Sequence, residues 1–113
     1  MTVLIVDDDD DIRDTLKELC EDEGYEVTTA ANGAEALRAL AGPVPPCVVV
    51  LDLIMPVVSG NEVFAAMQQD PRLSGVPVIV STSDPSRAPS GVLVMKKPIE
   101  LERLLRAIER YCR

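Results

Sequence analysis

Two apolar, mostly β-branched runs end in acid: Val3-Leu4-Ile5-Val6 runs into Asp7 to Asp11, and Cys47-Val48-Val49-Val50-Leu51 runs into Asp52. A run without polar alternation fits a strand covered on both faces, as in a parallel sheet, where ligands gather at the carboxyl ends of the strands. Carboxylates collected at that edge call for a cation. Two further runs point the same way: Val76-Pro77-Val78-Ile79-Val80 leads into Ser81-Thr82-Ser83, and Val92-Leu93-Val94-Met95 leads into Lys96-Lys97-Pro98. If all four strands are parallel, Asp7, Asp8, Asp52, Thr82 and Lys97 meet at one mouth.

Between these runs the apolar period changes to that of helices. Asp10 or Asp11 is expected to cap a helix over about 11–22, with Ile12, Leu16, Leu19 and Cys20 inward and Gly24 ending it. Glu26–Ala30 is a short strand. Asn32 followed by Glu35 predicts a capped helix to about Leu40, with Ala34, Leu37 and Leu40 on its inner face. The prolines of 42–46 exclude helix there, because proline lacks an N–H and its ring clashes with the preceding turn. A third helix is predicted from about Ser59 to Gln69, with Val63, Phe64 and Met67 inward and Asp70-Pro71 closing it. The last, Leu101 to Tyr111, carries Leu101, Leu104, Leu105 and Ile108 on one stripe. Strands alternating with helices make this an α/β, doubly wound domain, expected to span 1–113.

Charge and cysteine content narrow the function. The net charge is −8, and residues 1–26 hold eleven of the acids against Arg13 and Lys17. A half so acidic repels nucleic acid, and no helix shows a basic face. With no His and three cysteines without ligand spacing, a zinc site is excluded, and Cys20, Cys47 and Cys112 are expected to be reduced structural thiols. No apolar run approaches the roughly 20 residues of a membrane helix. A cytoplasmic protein without membrane contact is expected.

Val-Asp-Asp at 6–8, Asp52-Leu53-Ile54-Met55-Pro56 followed by Gly60, Thr82 after a strand and Lys97-Pro98 after another stand in one order along the chain. Together they resemble the receiver domain of two-component response regulators, over nearly the whole chain. The resemblance implies a flavodoxin-like, five-stranded parallel sheet of order 2-1-3-4-5. It implies that Asp52 is the phosphoacceptor, with Thr82 and Lys97 completing the catalytic set. Mg²⁺ (or Mn²⁺) would be held by Asp7, Asp8, Asp52 and the main-chain carbonyl of Ile54, and Pro98 would follow a cis peptide. The donor would be a sensor histidine kinase or His-phosphotransfer protein, and a downstream protein effector would receive the signal. Such a module is no enzyme beyond its own phosphorylation and dephosphorylation.

The chain departs from the family pattern in two places. The spacing from Thr82 to Lys97 is only 15, and Ser83–Gly91 holds two prolines where a full helix normally lies, so the fourth helix is expected to be short or missing. The family's aromatic residue three before the lysine is Val94 here, so the usual Thr-to-aromatic relay is lost and output is expected to be confined to 82–91. These departures leave an alternative, a pseudo-receiver that binds its partner without phosphorylation. A calcium loop starting at Asp7 fails because Ile12 stands where the turn needs Gly. A dehalogenase-type phosphatase fails because Ile54 stands where a second Asp is needed.

Overall fold

The computed structural model describes residues 1–112. Five strands, β1 (Thr2–Val6), β2 (Glu26–Ala30), β3 (Val48–Asp52), β4 (Val78–Thr82) and β5 (Leu93–Lys96), alternate with α1 (Asp10–Asp22), α2 (Gly33–Leu40), α3 (Gly60–Gln69) and α4 (Leu101–Tyr111). All pairings are parallel, in the order β2-β1-β3-β4-β5. The order reverses between β1 and β3, which opens a crevice at their carboxyl ends.

Alternation along the strands divides the interior into two layers. Val3, Ile5, Val48, Val50, Ile79 and Met95 face α1 and α4, where they meet Leu16, Cys20, Leu104 and Ile108. Leu4, Val6, Val49, Leu51 and Val80 face α2 and α3 and meet Ala36, Leu40, Val63 and Met67. Every residue of β3 is buried, as expected of a strand covered on both sides.

The helix starts follow the capping logic of the sequence, with one shift. Asn32 accepts the Glu35 amide, and Ser59 and Glu62 form a reciprocal capping box. The first helix is capped by Asp9, not Asp10 or Asp11: its carboxylate accepts the amides of Asp11 and Ile12. The choice is made one step earlier, because Asp7 accepts the Asp9 amide at 2.9 Å and so fixes the turn that leaves Asp9 extended.

In α2 the inner face is Gly33, Ala36 and Leu40, while Ala34 and Leu37 point outward. The cause is a close approach: a Cβ on Gly33 would lie 2.5 Å from the Val58 carbonyl oxygen, so the residue without a side chain must face the neighbour. Between β4 and β5 no full helix forms, as the prolines led one to expect; a single 3-10 turn at Pro85–Arg87 takes its place. Among the described residues no helix is long and apolar enough to cross a membrane.

The cysteines correct the sequence expectation. Cys47, just before β3, is disulfide-bonded to Cys112 at the end of α4, with Cα atoms 5.3 Å apart and a sequence separation of 65. Only Cys20 is a free thiol, and burial first, then Glu21 and Glu23, push it up to about 11.

Candidate functional site

The strand register brings the acids and their partners to one edge. Val6 pairs with Leu51, Asp52 with Ser81, and Thr82 with Lys96, so the segments carrying Asp7, Asp52, Thr82 and Lys97 leave the sheet side by side. Asp7, Asp8 and Asp52 each offer a carboxylate oxygen, and these oxygens lie within 4.8 Å of one another. Asp7 and Asp52 are buried, whereas Asp8 is exposed at the rim. Hard oxygen donors so grouped fit a divalent cation of the Mg²⁺ type, which takes one or two carboxylates and fills its shell with water or phosphoryl oxygens.

One cation of the protein reaches into this group. Lys97 Nζ lies 3.2 Å from Asp7 Oδ2 and 3.6 Å from Asp52 Oδ2, on a segment fixed by the Lys97 amide bond to the Thr82 carbonyl. The Lys97-Pro98 peptide is cis, as the resemblance implied. Burial is the largest influence on Asp52 and pushes its carboxyl up to about 6; Lys97 pulls it down, Asp7 pushes it up, and the Ile54 amide, donating at 3.3 Å, pulls it down. Burial also works against the Lys97 ammonium, but Asp52 and Asp7 outweigh it and hold lysine above its ordinary value.

Thr82 is at the edge, yet its hydroxyl is engaged elsewhere. It accepts the Asp84 amide at 3.1 Å and faces the Asp84 carbonyl at 3.4 Å, closing the turn that opens the 3-10 segment. Asp84 in turn caps that segment, and its bond from the Ser86 hydroxyl holds its carboxyl below the ordinary value. Ile54 contributes its amide to Asp52 and exposes nearly half of its apolar side chain.

Two contributors escaped sequence reasoning. Arg13 donates to the Asp7 main-chain carbonyl at 2.9 Å and pairs with Asp10, which ties the first turn of α1 to the site. Its signal was its rarity, as one of two cations among the first 26 residues. Ser81 is the other, buried beside Asp52.

The loop after Asp52 is shaped by backbone contacts. The Gly60 amide donates to the Leu53 carbonyl, and a Cβ on Gly60 would lie 2.3 Å from the Asp52 carbonyl oxygen and 2.7 Å from Leu53 Cα. Val57 carries a φ of 68°, a costly conformation for a β-branched residue, and its side chain is almost fully exposed. Gly60→Ala must therefore move main chain. It is expected to cost on the order of 2 kcal/mol in urea denaturation, the usual scale of overpacking.

The sequence and the fold both resemble those of known proteins. Residues 3–109 match the family model of the response regulator receiver domain. The polar-differentiation response regulator DivK of Brucella anthropi is 33% identical, over 97% of this chain and 94% of its own length. Among solved structures, the chemotaxis response regulator CheY4 of Vibrio cholerae superposes with a TM-score of 0.83 at 32% identity, over 97% of both chains. Response regulator TrrA of Thermotoga maritima, solved in complex with Mg²⁺-BeF, does so with a TM-score of 0.83 at 29% identity, again over 97% of both. Acids at the ends of β1 and β3, a hydroxyl after β4, a lysine after β5 and a matching family model over almost the full length lead to one conclusion: the chain belongs to the response regulator receiver domain family.

Proposed function

We propose that the chain, read as one domain from 1 to 113, is a phosphoacceptor module of a two-component phosphorelay in which Asp52 takes the phosphoryl group. The observation that carries this is the buried Asp52 carboxylate, with Lys97 Nζ 3.6 Å away and a cluster of hard oxygen donors around it. Asp52 attacks phosphorus in line, its O–P bond forms as the bond to the leaving group breaks, and the departing group takes the electron pair. Lys97 bridges Asp7 and Asp52 beforehand and is placed to follow the new negative charge onto a phosphoryl oxygen. Thr82 joins by releasing the backbone of Asp84. Asp7, Asp8, Asp52 and the Ile54 carbonyl would hold Mg²⁺ or Mn²⁺, which supplies charge neutralisation for the phosphoryl oxygens.

The donor is a phosphohistidine on a second protein, since this chain has no His to carry the phosphoryl group itself. A sensor kinase or phosphotransfer protein of the cytoplasm supplies it, and a protein effector receives the signal. An apolar groove lined by Ile12, Leu16, Pro98, Ile99 and Leu101 runs alongside Lys97 and suits the apolar face of such a donor. The second reading is a pseudo-receiver that binds without phosphorylation. It is favoured by Val94, which has no ring to swing, and by the hold of Asp84 on Thr82.

Acetyl phosphate with Mg²⁺, followed by intact mass, separates the two. The expected result is the gain of one phosphoryl group by wild type and none by Asp52→Asn, with acetate as the leaving group. No gain by wild type selects the pseudo-receiver.

A further inference from the structure

Ser81 is 2% exposed, and its hydroxyl is the only buried side-chain polar atom among the described residues without a hydrogen-bond partner. It interrupts the apolar run of β4 at a point where alanine would fill nearly the same space without a polar atom. A buried hydroxyl left unpaired costs stability, so its location calls for a reason.

The register supplies one. Ser81 is the direct partner of Asp52 on β3 and of Met95 on β5, and residues so paired project to the same side of the sheet. Adjacent strands lie about 4.8 Å apart, which puts a hydroxyl within reach of a partner's side chain after a rotamer change. Met95 offers only a weak thioether acceptor, whereas Asp52 offers a carboxylate. Thr82 cannot play this part from its present position, since it lies on the opposite pleat and is tied to Asp84.

We propose that Ser81 is a positioning residue for Asp52, resting on the reading of Asp52 as phosphoacceptor: its hydroxyl donates to the Asp52 oxygen that does not carry the phosphoryl group. In hydrolysis of the aspartyl phosphate, water attacks phosphorus and the P–O bond to Asp52 breaks. The electron pair returns to the carboxylate, and the proton of water leaves with phosphate. Negative charge therefore grows on the Asp52 oxygens as that bond breaks, and a hydroxyl already aimed there stabilises it. Ser81 shortens the lifetime of the phosphorylated state through Asp52, without touching phosphorus.

The test compares wild type with Ser81→Ala, Ser81→Val and Ser81→Thr; the last two have nearly the same shape and differ in the hydroxyl. Each is labelled with acetyl phosphate and Mg²⁺, freed of donor, and followed by intact mass, with thermal melting measured in parallel. Slower loss of the phosphoryl group in Ala and Val, by about tenfold, with Thr near wild type and labelling no slower than wild type in any variant, is the expected result. Melting of Ala at or above wild type accompanies it, since an unpaired buried hydroxyl has been removed without added volume. Wild-type decay in Ala and Val overturns the proposal, and so does a loss of labelling that tracks a loss of stability. Absence of labelling in wild type itself overturns instead the assignment of Asp52, and the two failures are thereby distinct.

Discussion

Reduction of the Cys47–Cys112 bond is expected to lower the melting temperature by on the order of 10 °C while leaving phosphorylation by acetyl phosphate unchanged. The bond joins positions 65 residues apart. Closing a loop of that length removes chain entropy from the unfolded state worth about 4 kcal/mol at 25 °C, and observed effects run from there down to about 2. For a domain of this size, 1 kcal/mol moves the midpoint by about 4 °C. Chemistry at the site should not notice, because Cys47 stands at the amino end of β3 and Asp52 at its carboxyl end. Melting of native protein with and without a phosphine reductant, and of Cys47→Ala with Cys112→Ala, measures the effect. Alkylation checks the pairing: native protein should take up nothing at 47 and 112 until reduced, and Cys20 stays protected by burial. Free thiols at both positions in air-oxidised protein, or an indifferent midpoint, would exclude the bridge.

This bridge also marks where sequence reasoning stopped. Buried parallel strands announce themselves as unbroken apolar runs, so β1, β3, β4 and β5 were legible to within two residues at each end, with the acids, Thr82 and Lys97 at or next to their carboxyl ends. Prolines at 85 and 89 made the loss of a helix before β5 equally plain. The pairing of Cys47 with Cys112 was not, because it depends on where α4 ends against the start of β3, and spacing alone fixes no connectivity.

The remaining misses share that character. Five consecutive aspartates are equivalent as helix caps until the Asp7 carboxylate takes the Asp9 amide. The two faces of α2 are nearly equal in apolarity until Gly33 meets Val58. Ser81 has meaning only once the register sets it opposite Asp52. In each case the sequence defined the local options, and a contact across elements selected among them.

Asp52→Asn is expected to abolish labelling and, at neutral pH without divalent cation, to raise stability. Asp52 is buried beside Asp7, and one lysine serves both carboxylates. Burial, with Asp7 adding to it, lifts the Asp52 carboxyl to about 6, above the ordinary value near 4 that it has in the unfolded chain. A raised acid binds its proton more tightly when folded, so between about pH 4 and pH 6 the folded state holds more protons than the unfolded one. Stability from this group is therefore complete below that window and is lost as pH rises through it. Two pH units correspond to a ceiling of about 3 kcal/mol. Because the amide gives up the attraction of Lys97, a gain of roughly 1–3 kcal/mol is the expected outcome for Asp52→Asn at pH 7. Urea denaturation from pH 4 to 7 should show wild type weakening across the window and the variant holding flatter. Millimolar Mg²⁺ should then raise wild type by mass action, since the cation binds the folded acid cluster. It should do less for Asp52→Asn and least for Asp8→Ala. A variant weaker than wild type at pH 7 in the absence of Mg²⁺ would mean that the Lys97 pair outweighs the repulsion, and parallel pH profiles would remove Asp52 as the group that titrates.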